Sequence, residues 1–190
     1  MDQYKNILVV IDPTTQDQKS LKRAIELATR TQSVITAFLS IFDFSYEMTT
    51  MLSSDEREDM RQSVVEDREV WLKNIINDLP HQGITINCKV VWHNRPFEAI
   101  IEQVISKKYN LVIKATHQHD KFKSVIFTPT DWHILRKCPC PVLLVKEHSW
   151  PENGNILAAI NIGSDETEHQ SLNNKITETA NSFGQLLKGR

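Results

Sequence analysis

The chain has 190 residues, of which 40% are hydrophobic and 24% charged, and its formal net charge at pH 7 is -2. These values are ordinary for a globular protein, and the near-neutral charge argues against nucleic acid as a partner, since such binding usually needs a strong basic excess. No apolar run is long enough to span a bilayer, and residues 1–5 lead into an apolar segment without a signal-peptide pattern. The three cysteines form no disulfide framework, which favours a reducing cytoplasm. We therefore predict a cytoplasmic protein with no membrane span.

Five apolar segments are typical of strands buried in a sheet, because they are rich in β-branched residues and hold few charges. They cover residues 6–12, 33–41, 84–92, 111–114 and 142–145. Segments with helical periodicity lie between consecutive strands. This alternation predicts an α/β fold, an open parallel five-stranded sheet with helices on both faces.

Capping residues mark where the four helices between these strands begin. In chain order the predicted starts are Asp17, Ser53 with Glu56, Pro96, and Thr128 with Pro129. In the fourth helix Trp132, Ile134 and Leu135 recur at helical spacing, and we predict that they face the core.

The longest polar connection, residues 115–127, follows the fourth strand. Loops at the carboxyl ends of parallel strands are where ligands usually bind. Residues 107–146 hold eight Lys and Arg against two Asp and Glu, so this segment is basic within a slightly acidic chain. Solvated surface lysines are the main interpretation, and an anion-binding site is the alternative.

A second copy of the first strand pattern appears late in the chain. Residues 155–161, NILAAIN, repeat residues 6–12, NILVVID, and such self-similarity at a domain-sized interval indicates a tandem duplication. We predict a domain over 1–148, a linker over 149–154, and the first strand and helix of an incomplete second repeat over 155–190. One βα fragment cannot bury its own apolar face, so the chain is interpreted as truncated early in that repeat.

Four sequence blocks carry a resemblance to a known family: NILVVIDP at 6–13, FDFSYEMTTMLSSDERE at 42–58, KVVWHNRPFEAII at 89–101, and IFTPTDWHILRKCPCPVLLVK at 126–146. With them the chain resembles the universal stress protein family, and in particular its tandem-domain members. The resemblance implies a flavodoxin-like fold with strand order 3-2-1-4-5. It also implies a ligand crevice between the first and fourth strands, where the strand order reverses.

ATP-binding members of that family carry an acidic residue after the first strand, which Asp12 matches. They also carry a glycine signature after the fourth strand (Gly, two residues, Gly, nine residues, Gly-Ser/Thr), which falls here on Ala115, Gln118, Thr128 and Pro129. Glycines let backbone N–H groups approach a phosphate, whereas Gln118 adds a side chain and Pro129 removes a donor. We therefore predict weak or no ATP binding.

The predicted ligand-binding residues follow the first strand, the fourth strand and the start of the fourth helix. They are Asp12, Pro13, Ala115, Thr116, His117, Gln118, Thr128, Pro129 and Thr130. No catalytic residue is predicted, because neither a partner acid nor a nucleophile accompanies Asp12. No cofactor or metal is predicted, because the pair His117 and His119, with Asp120 beside it, lacks the further ligands that zinc needs.

The resemblance implies a non-enzymatic stress-response protein that supports survival under stress, including DNA-damaging conditions. An ATP-binding or ATP-hydrolysing protein and a pure protein-interaction module are the alternatives. An anionic or phosphorylated small molecule is the predicted ligand. The apolar strand at residues 142–145 predicts a homodimer formed through the sheet edge. Cys138 and Cys140 are interpreted as packing residues at a strand entrance, with redox chemistry as the alternative.

Overall fold

A computed structural model of the chain describes residues 4–46, 52–81, 83–118, 125–146, 149–151, 153–163 and 167–187. His119 and Asp120 of the predicted polar loop lie outside the described residues, and of His117 and Gln118 only the backbone is described. The chain divides into two compact units, Met1–Glu147 and His148–Arg190. None of the described helices is both long and apolar enough to cross a membrane.

The first unit alternates strands and helices along the chain. Its strands are β1 (Asn6–Val10), β2 (Val34–Ile41), β3 (Ile86–Trp92), β4 (Leu111–Ala115), β5 (His117–Gln118), β6 (Val125–Ile126) and β7 (Val142–Val145). Its helices are α1 (Lys19–Thr31), α2 (Ser54–Asp78), α3 (Pro96–Lys107) and α4 (Pro129–Lys137), and a short 3-10 helix covers Phe44–Tyr46. Gly83, at φ 79°, lies in the turn before β3, a backbone conformation that favours glycine.

Five parallel strands form one sheet in the order β3-β2-β1-β4-β7, so the predicted fold class and strand order are confirmed. The register places Ile7 of β1 opposite Ile35 of β2 on one side and Leu111 of β4 on the other. β1 therefore lies at the centre, and β3 and β7 are the two edges. The polar connection after β4 also contains two short strands that the sequence did not predict. β5 and β6 pair in antiparallel orientation as a separate two-stranded sheet.

One cluster of the core lies where the sheet meets α3 and α4. Its centre consists of Leu8, Phe38, Ile100, Val112 and Ile134, each at most 1% exposed. Burying each of these side chains contributes roughly 1.5–3 kcal/mol before the entropy cost of ordering the chain. Because parallel crossovers are right-handed, α1 and α2 cover the opposite face of the sheet. The site between β1 and β4 therefore sits on a rigid, doubly covered sheet.

Two helix predictions are wrong in detail. α1 begins after Gln18, whose side-chain amide bonds the backbone of Asp12 and Thr15, while Asp17 forms an ion pair with Lys22 instead of capping the helix. In α4 Ile134 is buried, but Trp132 is 50% exposed and Leu135 is 42% exposed. The helix has nine residues and presents a narrow inner face to the sheet, so periodicity overestimated its buried stripe.

The second unit contains α5 (Thr167–Leu187). Its described residues 153–163 form no strand, which differs from the strand predicted at 155–161. A strand requires a hydrogen-bonded neighbour, and a lone βα segment does not supply one. The side chain of Asn173 in α5 instead pairs with the backbone of Asn161 in both directions, at 3.0 and 2.7 Å. That this unit opens a second repeat remains a prediction.

Candidate functional site

A cleft of about 310 Å³ opens at the carboxyl ends of β1 and β4, where the strand order reverses. This volume lies at the lower end of the range for small-molecule sites. The walls come from the end of β1 and the turn after it, from β2, from the start of α3, from the end of β4 and from the start of α4. The lining residues are Val10, Ile11, Asp12, Pro13, Thr14, Ser40, Pro96, Ile100, Lys114, Ala115, Thr128 and Thr130.

Asp12 organises the turn that follows β1. Its Oδ1 accepts hydrogen bonds from the backbone N–H of Thr14, at 2.9 Å, and from the Thr14 hydroxyl, at 2.6 Å. Its own N–H donates to the side-chain oxygen of Gln18, at 3.0 Å. A carboxylate at the end of a strand thus closes an Asx turn, which fixes the β1 side of the cleft.

Asp131 forms a buried network at the first turn of α4. Its Oδ2 accepts from the N–H of Thr128, at 2.7 Å, and from the Thr128 hydroxyl, at 2.8 Å. In return the N–H of Asp131 donates to the Thr128 hydroxyl, at 3.2 Å. These bonds complete a capping box, with Pro129 at the first helical position as predicted.

The other carboxylate oxygen of Asp131, Oδ1, lies 2.8 Å from Nζ of Lys114 at the end of β4. The Asp131 side chain is 0% exposed and that of Lys114 is 12% exposed, so this is a buried ion pair. Nζ of Lys114 also donates to the carbonyl of Ala115, at 3.2 Å. The charge of Lys114 is therefore already balanced by a carboxylate of the same chain.

This network changes what the start of α4 can bind. A helix N-terminus attracts anions because its first N–H groups point outward and the helix dipole is positive there. In α4 the capping box uses the N–H groups of Thr128 and Asp131, and Pro129 has none. Few N–H groups at the start of α4 are therefore left for an anion.

The predicted ligand-binding residues are only partly brought together. Five of them line the cleft: Asp12, Pro13, Ala115, Thr128 and Thr130. Thr116 is bonded instead to the edge strand, since its N–H and hydroxyl both donate to the carbonyl of Val145, at 2.9 and 3.2 Å. The backbone of His117 and Gln118 forms β5, where a phosphate-binding loop was the family expectation.

Sequence reasoning missed Lys114, which lines the cleft, and Asp131, which pairs with it. Lys114 is the one charge in the otherwise apolar segment LVIKA, which was a usable signal. Asp131 completes the pattern Thr-x-x-Asp ahead of a helix, which is a capping-box signature. Neither signal reveals that the two side chains meet. Among the residues that the structure describes, no group of three or more His, Cys, Asp or Glu side chains could hold a metal ion.

The fold and the cleft define a class: a flavodoxin-like α/β domain with a small-molecule cleft at the point where its strand order reverses. The sequence model of the Universal stress protein family matches residues 3–146, and the chain belongs to that family.

Relatives and solved structures agree with this assignment. The chain is 54% identical over 178 residues to Universal stress protein E of Escherichia coli strain K12, which covers 94% of this chain and 56% of that protein. The chain thus spans little more than half the length of this relative. A putative universal stress protein from Pseudomonas aeruginosa superposes with a TM-score of 0.69 at 28% identity, covering 99% of this chain and 60% of that one. A universal stress protein solved in complex with cAMP shares the fold alone, at 13% identity and a TM-score of 0.50.

Proposed function

We propose that the first unit is a non-enzymatic stress-response domain whose nucleotide site no longer holds a triphosphate, so that it binds ATP weakly or not at all. The observation that carries this proposal is the buried carboxylate of Asp131 at the start of α4. It uses the hydrogen-bond donors of that helix end and neutralises Lys114. A triphosphate placed there would find few free N–H donors, and the ammonium group of Lys114 is already paired with a carboxylate.

The ATP-binding and ATP-hydrolysing alternatives need a phosphate-binding site. ATP hydrolysis in addition depends on hydrogen-bond donors and cations that are positioned around the transferred phosphoryl group. In the described cleft the ammonium group of Lys114 is paired with Asp131, so it is not available to a phosphate. The predicted anionic or phosphorylated ligand remains a prediction, and the same pairing weakens the attraction of the cleft for it. Asp12 and the cleft hydroxyl groups of Ser40 and Thr130 suit a small polar molecule of low charge.

Calorimetric titration with MgATP tests the proposal directly. We expect no saturable heat with the wild-type chain at ATP concentrations up to the millimolar range. A variant that restores the family signature, with Ala115→Gly, Gln118→Gly, Thr128→Gly and Pro129→Ser, takes the Thr128 hydroxyl out of the capping box and returns an N–H donor at residue 129. Even with Asp131 in place, it should gain at least about tenfold in affinity, or about 1.4 kcal/mol. Adding Asp12→Ala to this variant provides the matched control and should remove the gain. Low-micromolar binding of ATP by the wild-type chain would contradict the proposal.

The physiological part of the proposal is cytoplasmic accumulation under stress and support of survival, including after DNA damage. It rests on the family and on the similarity to Universal stress protein E. Cells that lack the gene should regain survival after ultraviolet irradiation when they express the wild-type protein. The Asp12→Ala variant should do equally well if nucleotide binding has no part in the function. Rescue by the signature-restored variant alone would show instead that ATP is required.

A homodimer through β7 is the proposed assembly. β7 is an edge of the sheet, and its residues Val142, Leu143 and Leu144 are only partly buried in the described chain. Sheet edges with apolar side chains favour pairing with another strand. The alternative of a pure interaction module would use the same edge for a different protein.

Light scattering tests this assembly. We expect a mass of twice 21.9 kDa at micromolar concentration. Leu143→Lys places a charge on the edge strand and should give the monomer, whereas Leu135→Lys, on an exposed part of α4, should leave the dimer intact. A wild-type monomer at tens of micromolar would exclude the dimer.

A further inference from the structure

Two thiols lie in contact at the junction between α4 and β7. Sγ of Cys138 and Sγ of Cys140 are 3.6 Å apart, and both side chains are partly buried against the core beside the exposed Pro139. The turn that carries them is held at both ends. The N–H of Cys138 donates to the carbonyl of Ile134, at 2.9 Å, and the carbonyl of Pro141 accepts from Val112, at 3.0 Å.

We propose that Cys138 and Cys140 form a peroxide-sensitive dithiol site, in which a small hydroperoxide oxidises the pair to an intramolecular disulfide. The two sulfur atoms are already neighbours, so closure to a bond of about 2.05 Å needs only a local movement of the turn. Both cysteines are partly exposed on either side of Pro139, so a small oxidant can reach the pair.

The electronic environment makes Cys138 the attacking thiol. The hydrogen bond from the Cys140 thiol, with help from the backbone of Cys140, lowers the pKa of Cys138 to about 7. Because Cys140 holds the shared proton and is partly buried, its own pKa is raised. The carbonyl end of α4 disfavours a thiolate, whereas the hydrogen bonds from Cys140 favour one.

The reaction balances in two steps. The Cys138 thiolate attacks the terminal oxygen of the hydroperoxide, the O–O bond breaks, and the leaving alkoxide or hydroxide takes a proton, which gives a sulfenic acid on Cys138. Sγ of Cys140 then attacks the oxidised sulfur, the S–O bond breaks, and the departing hydroxide takes the Cys140 proton as water. Two thiols are oxidised to one disulfide, and the peroxide is reduced to water and an alcohol or a second water.

A disulfide between residues separated by one proline is strained, and strain makes such a bond easier to reduce. Strained and exposed disulfides are the labile and regulatory ones. The site is therefore suited to reversible oxidation rather than to structural cross-linking. This inference is independent of the proposed nucleotide site, because neither cysteine lines the cleft.

Differential alkylation of the full chain, with hydrogen peroxide as the oxidant, tests the proposal. Cys88 is the internal control, since burial, together with the charge of Glu69, raises its pKa above the usual value of 9.0. At pH 7 iodoacetamide should modify Cys138 at least about fivefold faster than Cys88, because a larger thiolate fraction outweighs the lower nucleophilicity of an acidic thiol. After peroxide treatment, Cys138 and Cys140 should both resist alkylation until dithiothreitol is added, and their peptide should be lighter by two hydrogen atoms.

Two variants separate the roles of the cysteines. In the Cys140→Ser variant, oxidation of Cys138 should stop at the sulfenic acid, which dimedone traps. The Cys138→Ser variant should form no intramolecular disulfide. Cys88→Ser should behave like the wild type. Equal alkylation rates at Cys138 and Cys88 would overturn the proposal. So would a disulfide between two chains, or direct oxidation of Cys138 to the sulfinic acid in the wild-type protein.

Discussion

Replacement of Asp131 by alanine is expected to lower the free energy of unfolding of the first unit by about 3–5 kcal/mol. The substitution leaves the ammonium group of Lys114, which is only 12% exposed, without its carboxylate partner. Removing one member of a buried ion pair is strongly destabilising, because the remaining charge stays desolvated. The substitution also removes the capping box of α4. Urea unfolding followed by tryptophan fluorescence measures the effect.

Three further variants separate the effect of the charge from that of the helix cap. Glu56→Ala breaks the equivalent capping box of α2, whose members Ser53 and Glu56 are exposed, and its effect should be far smaller than that of Asp131→Ala. Asp131→Asn combined with Lys114→Met keeps an acceptor for Thr128 and leaves no buried charge. This double variant should recover most of the stability lost in Asp131→Asn alone. If the double variant is no more stable than the Asp131→Asn variant, the unpaired charge of Lys114 is not the cause of the lost stability.

Replacement of Phe38 by alanine is expected to cost about 3–5 kcal/mol, because it removes a fully buried ring from the centre of the core. Phe38 lies in the middle of β2, opposite Val10 of β1 and Lys89 of β3. Backbone pairing holds the strands at a fixed spacing, so the neighbours collapse only partly into the cavity. The midpoint of urea unfolding should fall while its slope stays constant.

Phe44→Ala is the matched control for Phe38→Ala. Phe44 is 63% exposed and lies in the short 3-10 helix after β2, so the same chemical change there should alter stability by no more than about 0.5 kcal/mol. A loss of more than about 2 kcal/mol at Phe44 would show that the residue is buried in solution. A loss below about 1 kcal/mol at Phe38 would contradict the core described for the first unit.

Local signals in the sequence were sufficient for several elements of the first unit. The capping box of Ser53 and Glu56 and the first helical position of Pro129 form as predicted, because each involves groups within four residues of one another. β7 has the predicted bounds, Val142–Val145, because its apolar run lies between Pro141 and the charged Lys146. The strand order followed from the family resemblance, and the handedness of parallel crossovers is consistent with it.

Non-local contacts account for the errors. Asp17 is a good cap by residue type, but Gln18 reaches back to Asp12, and the turn after β1 sets where α1 begins. Trp132 and Leu135 match the helical period, yet the sheet covers only the side of α4 that carries Ile134. Periodicity identifies a potential apolar face and does not say how much of that face a neighbour will cover.

The candidate site divides in the same way. The sequence alone was enough to select four positions of the site, Asp12, Ala115, Thr128 and Pro129. The missing glycines alone predicted a poor phosphate-binding site. Only the tertiary structure joined Lys114 to Asp131, because α4 returns to the end of β4 after the connection over residues 116–128. The sequence by itself determined the five strands of the main sheet, the starts of α2, α3 and α4, and the family, since these depend on neighbours along the chain. Only the tertiary structure determined which charged side chains form an ion pair, because folding brings residues that are distant in sequence together. In the low-dielectric interior a buried carboxylate needs a nearby cation, since an unpaired charge there is strongly destabilising.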